Sequence, residues 1–128
     1  IIHFKNLIAF VIIGKDVSVN DDYSEKITTL CIDNNIEFYF RENQPKIDKN
    51  IYVMAVSWRW MIKHPKNKLI VFHDSILPKY RGFAPLVNML INGEKEIGVS
   101  AIFGADEYDR GEIISQKKTT IDAAVPGA

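Results

Sequence analysis

The stretch HDSILPKYRG, residues 73–82, places three reactive side chains directly after the apolar run LIVF. They belong to His73, Asp74 and Ser75. An imidazole exchanges protons near neutral pH, so His73 at the end of a strand is a candidate for acid–base chemistry, although a purely structural histidine gives the same pattern. Ser75 is a weaker candidate nucleophile, because the chain has no G-x-S-x-G elbow and no neighbouring base to activate it.

A second candidate is the acidic stretch ADEYDR, residues 105–110, which a glycine brackets on each side. It carries the carboxylates of Asp106, Glu107 and Asp109. Such a cluster is commonly a solvated turn. The bracketing glycines favour a shaped backbone instead. A loop folded over the strand ends would bring one carboxylate to His73, where it would orient the imidazole ring in a shared cleft.

The stretch SWRWM, residues 57–61, sets two tryptophans beside an arginine. Alternate tryptophans at a strand end are equally typical of core packing and of an apolar slot for a flat heteroaromatic ligand. No metal site is predicted, because the three histidines and the single cysteine lack the spacing of metal ligands.

The composition is that of a soluble globular domain. Of 128 residues, 47% are hydrophobic and 25% are charged, and 16 basic residues balance 16 acidic ones. This balance gives no overall field to attract nucleic acid. The single cysteine, Cys31, fits a reducing compartment, and no apolar stretch is long enough to span a membrane, so a cytoplasmic location is expected.

Apolar runs alternate with helical periodicity along the chain. The predicted strands cover residues 7–16, 36–40, 51–58, 68–73, 98–104 and 111–121, and the predicted helices cover residues 22–34 and 84–93. This order is typical of an α/β domain with a mostly parallel sheet, in which ligands bind beyond the carboxyl ends of the strands. His73 and the SWRW segment both stand at such ends.

Two local expectations concern the helices. Asp22 and Glu25 have the spacing of a capping box at the start of the first helix. The second helix, APLVNMLING, is apolar nearly all round, which predicts that it is heavily buried.

Three stretches together resemble a known family. They are AVSWRWMI, FHDSILPKYRGFAPLVNMLINGE and GVSAIFGADEYDRGEIISQ, and they run in the family's order from about residue 51 to residue 116. The family is that of the N10-formyltetrahydrofolate-dependent formyltransferases, which includes methionyl-tRNA formyltransferase, glycinamide ribonucleotide formyltransferase and the sugar N-formyltransferases. The resemblance implies a Rossmann-like catalytic domain over residues 1–121, lacking the family's first strand and helix, with an irregular tail over 122–128.

The resemblance also implies roles for individual residues. The family's catalytic base falls on His73 and its conserved aspartate on Asp109. Ser75 and Arg81 are assigned to substrate binding. The positions expected to line the folate pocket are Trp58, Arg59, Trp60, Met61, Gly104, Ala105, Asp106 and Tyr108.

The implied reaction transfers a formyl group from N10-formyltetrahydrofolate to a primary amine. The acceptor is either methionyl-tRNA or a nucleotide-linked amino sugar, and the HDS and SWRWMI stretches look more like the sugar branch. No membrane partner is expected, and the resemblance leaves a homodimer open.

Two positions depart from the family's pattern. Val71 stands where the family carries an asparagine whose amide donates to the developing oxyanion, and Ile102 stands near a position often held by histidine. Loss of one such donor typically lowers turnover by about 10²–10³-fold. A protonated His73 or a backbone N–H could replace the amide. The alternative is a catalytically impaired homologue that binds folate or a nucleotide.

Overall fold

The computed structural model describes residues 1–82, 85–106 and 109–120, and the chain divides into two compact units. The first unit covers Ile1–Ile47 and the second covers Asp48–Ala128. The predicted tail, residues 122–128, lies outside the described residues, and the predicted domain boundary stays a prediction.

The first unit is a strand–helix–strand motif. Strand β1 (Val11–Ile13) pairs in parallel with β2 (Phe38–Phe40), and helix α1 (Ser24–Asp33) connects them. Cys31 on α1 is fully buried, and burial raises the pKa of its thiol.

The predicted strand over residues 7–16 is shorter than expected. Only Val11–Ile13 forms a strand, while Ile2–Leu7 forms a 3₁₀ helix in which Leu7 is 83% exposed. Local i→i+3 bonds such as Phe4 N–H to the Ile1 carbonyl satisfy the backbone there. An apolar run alone does not distinguish these two ways of pairing the backbone.

The predicted capping box at α1 is wrong. Tyr23 is the N-cap residue, with a left-handed φ of 60°, and no side chain caps the helix from that position. Instead, the Asp22 carboxylate accepts hydrogen bonds from the N–H groups of Ser24 and Asp16. These bonds, that from Ser24 first, hold the pKa of Asp22 below its ordinary value.

The second unit contains a four-stranded sheet in the order β3-β4-β5-β6. Its elements are β3 (Val53–Val56), β4 (Leu69–His73), α2 (Pro85–Ile91), β5 (Glu96–Phe103) and β6 (Ile113–Thr120). Strands β3 and β4 are parallel, whereas β5 and β6 extend the sheet in antiparallel orientation. The short link between β5 and β6 permits only an antiparallel hairpin. The predicted α/β class is confirmed.

The expectation that the second helix is heavily buried is wrong. Met89 is the one residue of α2 in the buried class, at 2% exposed, while Val87 is 55% and Ile91 75% exposed. A helix that is apolar on every face still packs only one face against a single sheet. Composition therefore overstated how much of α2 is covered within the described residues.

Candidate functional site

His73 is the last residue of β4 and lies at the carboxyl edge of the sheet. Its residue surface is only 8% exposed. The loop that follows, residues 74–82, turns back so that the Tyr80 carbonyl oxygen lies 2.7 Å from Nε2 of His73. The strand fixes the backbone of the histidine, and the loop fixes the direction of its ring.

Asp109 approaches the same histidine from the loop between β5 and β6. Its Oδ1 lies 3.3 Å from Nδ1 of His73, and its Oδ2 accepts a 2.7 Å hydrogen bond from the Gly82 N–H. Arg81 donates from Nε to the Asp109 carbonyl at 3.2 Å. Asp109 has a left-handed φ of 59°, a conformation that Asp and Asn tolerate better than most residues. One carboxylate thus joins the two loops at His73.

The expected pairing of His73 with a carboxylate of the acidic stretch is therefore present in the structure. The cleft that was expected around it is less open than predicted, since the two side chains are only 9% and 11% exposed. The loop over residues 74–82 causes this enclosure, because it bonds both to His73 and to Asp109.

The contacts of His73 indicate where its ring holds hydrogens. A backbone carbonyl only accepts hydrogen bonds, so Nε2 must donate to Tyr80. Nδ1 lies 3.3 Å from Oδ1 of Asp109, so both ring nitrogens face an oxygen atom of the protein. These two contacts fix the orientation of the imidazole ring.

Ser75 lies inside the loop rather than on its surface. It is 0% exposed, and its hydroxyl donates a 2.7 Å hydrogen bond to the Lys79 carbonyl. This geometry gives Ser75 a part in shaping the loop, and its assignment to substrate binding stays a prediction. Arg81 is exposed beside Asp109, where a bound ligand can still reach its guanidinium.

The sequence reasoning missed a polar cluster that supports the loop from the sheet. Ser100 on β5 is 0% exposed and donates from its hydroxyl to the Ser75 carbonyl at 2.7 Å. It also accepts hydrogen bonds from the Leu77 N–H and from Nε2 of Gln116, which in turn donates to the Leu77 carbonyl. A serine in the middle of the apolar strand GVSAIF is the sequence signal for such a role, because a buried hydroxyl needs partners.

The SWRWM segment follows β3 at the same sheet edge as His73. The parallel register pairs Val56 with Phe72, so Ser57 and His73 come next on neighbouring strands. The rings of Trp58 and Trp60 meet edge to face at 4.9 Å between centroids. Nε1 of Trp58 is buried and finds no hydrogen-bond acceptor within residues 1–82, 85–106 and 109–120.

The other predicted pocket residues of this segment are more open. Met61 is 81% exposed, and Arg59 is exposed with its guanidinium 5.9 Å from the centre of the Trp60 ring. The segment therefore combines an aromatic pair with accessible polar and apolar groups. Its proposed contact with folate stays a prediction.

The loop after β5 carries the remaining predicted pocket positions. The Gly104 N–H donates to the Leu69 carbonyl at 2.9 Å, and a Cβ at Gly104 would lie 2.9 Å from Leu69 Cδ2. Ala105 is exposed, and Asp106 forms an ion pair with Lys66. The predicted Tyr108, like Glu107 of the acidic stretch, lies outside the described residues.

The two positions that depart from the family's pattern are neighbours. Val71 on β4 is directly opposite Ile102 on β5 in the antiparallel register. Opposed residues share one face of a sheet, and alternation places His73 on that same face. Ile102 is 2% exposed. The pair of Val71 and Ile102 therefore adds no side-chain hydrogen-bond donor to the face that carries His73.

No three side chains of His, Cys, Asp or Glu are grouped to hold a metal ion anywhere in the described part of the chain. Among those same residues, the structure contains no helix with the length and apolar character needed to cross a membrane.

The structure thus places an enclosed histidine–carboxylate pair at the edge of an α/β sheet. Comparison with known proteins makes the class specific. The chain matches the family described as formyl transferase over residues 53–125, which is more than half of its length. The chain belongs to the formyl transferase family.

Sequence relatives carry names from two branches of this family. The chain is 43% identical over 56 residues to methionyl-tRNA formyltransferase of Halalkalibacterium halodurans, a match that covers 44% of this chain and 18% of the relative. It is 36% identical over 91 residues to the bifunctional polymyxin resistance protein ArnA of Wigglesworthia glossinidia brevipalpis, covering 70% of this chain and 14% of the relative. The chain therefore spans less than a fifth of either relative.

Solved structures give the same fold. WlaRD, a sugar 3N-formyl transferase crystallised in the presence of dTDP and 5-N-formyl-THF, matches with a TM-score of 0.68 and 27% identity, over 88% of this chain and 42% of WlaRD. Phosphoribosylglycinamide formyltransferase from Streptococcus pneumoniae TIGR4 matches with a TM-score of 0.67 and 11% identity, over 92% of this chain and 86% of that one. The second likeness shows the fold alone, and both agree with the predicted Rossmann-like class.

Proposed function

We propose that the protein transfers a formyl group from N10-formyltetrahydrofolate to a primary amine. The observation that carries this proposal is the contact of His73 with Asp109, which joins two loops at the carboxyl edge of the sheet. Membership of the formyl transferase family limits the chemistry that such a pair performs here.

Several residues fit a folate cosubstrate. A pterin is a flat heteroaromatic ring with hydrogen-bond acceptors on its edge. Trp58 and Trp60 supply aromatic surface, and Nε1 of Trp58 is a buried donor that lacks an acceptor among the described residues. A buried unpaired donor is costly, which favours a ligand that supplies its acceptor. We assign Arg59, Met61 and the loop from Gly104 to Tyr108 to the same pocket.

When bound, N10-formyltetrahydrofolate supplies the formyl carbon, and its N10 leaves as an amine. The attacking amine must lose a proton, and N10 must gain one as it leaves. We assign both proton transfers to His73, whose ring is held between the Tyr80 carbonyl and the Asp109 carboxylate. General acid–base catalysis of this kind is commonly worth about 10²–10⁴ in rate.

Asp109 acts by orienting the imidazole. Its second oxygen is held by the Gly82 N–H, so the carboxylate has one oxygen directed to each loop. Arg81 remains the candidate for contact with an anionic acceptor, because its guanidinium is exposed next to this carboxylate.

For the acceptor, we propose a nucleotide-linked amino sugar in preference to methionyl-tRNA. The solved relative with the higher identity of the two compared, WlaRD, is a sugar 3N-formyl transferase. The even balance of 16 basic and 16 acidic residues offers no positive field for RNA, whose binding is largely electrostatic. Methionyl-tRNA remains the alternative because relatives of that name match by sequence.

The apolar pair of Val71 and Ile102 favours a second candidate function. Because neither side chain of this pair can donate a hydrogen bond, the protein could bind folate and yet turn over slowly or not at all. The buried, reduced Cys31 supports a cytoplasmic location for either function.

Single-turnover formyl transfer decides between these candidates. The protein is mixed with N10-formyltetrahydrofolate and, in parallel, with dTDP-linked amino sugar, UDP-linked amino sugar or methionyl-tRNA, and the acceptor is weighed by mass spectrometry. We expect a formylated sugar nucleotide, and a roughly 100-fold slower reaction in His73→Gln. His3→Gln is the matched control and should leave the rate unchanged, because His3 is exposed in the first unit.

The outcomes separate the hypotheses. Formylated methionyl-tRNA alone would replace the proposed acceptor. Saturable folate binding without product on any acceptor would support the impaired homologue, and a His73→Gln rate equal to that of the unchanged protein would refute the role of His73.

A further inference from the structure

We propose that Glu94 and Asn92, just beyond α2, position His73 through the side chain and backbone of Tyr80. The end of a helix would then set the hydrogen bond at Nε2 of the imidazole. The inference deepens the proposed formyl transfer, and only its kinetic consequence rests on that function.

The first link joins Tyr80 to His73. The Tyr80 carbonyl accepts the 2.7 Å hydrogen bond from Nε2 of His73, so the backbone at Tyr80 decides where the imidazole points. Tyr80 has a left-handed φ of 57°, which is unfavourable for a residue with a bulky side chain. Such a conformation persists only where surrounding contacts hold it.

The second link holds Tyr80 at its other end. Its hydroxyl donates to Oε1 of Glu94 at 2.9 Å and accepts from Nδ2 of Asn92 at 3.2 Å. The hydroxyl group therefore uses its single hydrogen and one lone pair on two side chains from the same turn. Two bonds at the tip of the ring, together with the carbonyl contact, restrain the whole residue.

The third link anchors Glu94 and Asn92 to the helix. Gly93 has a left-handed φ of 71°, and its N–H donates to the Leu90 carbonyl at 3.2 Å. The Glu94 N–H reaches back to the carbonyl of the buried Met89 at 3.0 Å. These bonds form a Schellman-type helix end, which satisfies the last carbonyls and fixes the direction of the chain beyond.

These three links form a continuous set of hydrogen bonds from the end of α2 through Tyr80 to the imidazole, which we call the relay. Glu94 and Asn92 act through Tyr80 and are positioning residues. Loss of their bonds would free the Tyr80 ring and allow its strained backbone to relax away from Nε2. The carbonyl would then be a poorer acceptor, and the Nε2 hydrogen would exchange with water more readily.

Proton NMR of the His73 ring tests this relay directly. A ring N–H held by a carbonyl gives a downfield signal whose exchange with solvent can be timed. We expect Tyr80→Phe and Glu94→Ala each to speed exchange of the Nε2 hydrogen roughly three- to tenfold, which corresponds to loss of about one net hydrogen bond. Glu94→Gln keeps an oxygen acceptor for the hydroxyl and should restore exchange to nearly that of the unchanged chain.

Glu96→Ala is the matched control, because Glu96 is an exposed acid at the start of β5 and should leave exchange unaltered. In formyl transfer, Glu94→Ala should lower kcat three- to tenfold with KM within about twofold, because positioning of a proton donor acts on the transition state. An imidazole signal in Glu94→Ala that exchanges as slowly as in the unchanged chain would overturn the proposal.

The two readouts keep this inference separate from the proposed function. If the unchanged chain transfers no formyl group, the function fails while the NMR comparison of Glu94→Ala with Glu94→Gln still decides the relay. The Glu94 pair also keeps the test decisive if Tyr80→Phe disrupts the loop.

Discussion

The two segments that follow the parallel strands β3 and β4 differ in how completely their polar groups are paired. After β4, the loop over residues 74–82 is bonded to itself, to β5, to β6 and to Asp109. After β3, the SWRWM segment carries a buried indole N–H with no acceptor in the described chain and an 81% exposed Met61.

This contrast separates the two tasks of the proposed site. Proton transfer requires a ring held within a fraction of an ångström, and the contacts around His73 supply that restraint. Recognition of a flat ligand tolerates more adjustment and benefits from an unpaired donor that the ligand can satisfy. The segment proposed for proton transfer is preorganised, whereas the segment proposed for folate binding keeps a buried donor that has no acceptor among the described residues.

The largest expected effect comes from Asp109→Asn, which weakens the contacts that restrain His73 after β4. Asparagine tolerates the left-handed backbone and keeps an acceptor for the Gly82 N–H, but it removes the charge beside His73. We expect formyl transfer to fall about 100-fold, measured by single-turnover kinetics. Asp74→Asn changes an exposed neighbour of His73 and should have little effect; equal losses in the two variants would contradict the assignment.

A smaller effect, on stability, is expected from Gly111→Ala. A Cβ at Gly111 would overlap the Phe103 carbonyl oxygen, so the hairpin that carries Asp109 must open. We expect the free energy of unfolding to fall by about 1–3 kcal/mol, measured by urea denaturation. Ala105→Ser adds one atom at an exposed position of the same loop and serves as control. Unchanged stability in Gly111→Ala would show that the loop does not restrain the site.

The smallest expected effect concerns ligand binding by the SWRWM segment. Trp58→Phe removes the indole N–H, which has no acceptor among the described residues. The change should therefore cost little stability while weakening binding of 5-formyltetrahydrofolate by up to about tenfold. Calorimetric titration gives the affinity, and a thermal melt gives the stability. Trp60→Phe is the comparison variant. A stability loss in Trp58→Phe without any change in affinity would assign Trp58 to core packing instead.

Much of the fold of the second unit was predictable from sequence. The apolar run ending at His73 and the stretch over residues 111–121 were predicted as strands, and the structure places strands there. The end of the second helix at Gly93 followed from the conformational freedom of glycine. Burial was harder, because the composition of α2 does not reveal how much surface lies opposite it.

The candidate site was predictable only for residues whose side chains have reactive groups. His73 and Asp109 have reactive groups and a resemblance to support them, and the structure brings them to 3.3 Å. The Tyr80 carbonyl has no such signature, because every residue has a backbone carbonyl and only the fold of the loop directs this one to Nε2. The same holds for the support from Ser100 and Gln116, which depends on strand register.

The pairing of Val71 with Ile102 has a consequence for how this site can change. An amide introduced at the buried Ile102 alone would face the aliphatic Val71 and leave polar groups without partners, at a cost of about 1–3 kcal/mol. A polar pair introduced at both positions together could satisfy itself. The two positions are therefore expected to be energetically coupled. Replacing the apolar pair by a hydrogen-bonding pair, one residue at a time, is expected to pass through a single mutant that is less stable than either pair.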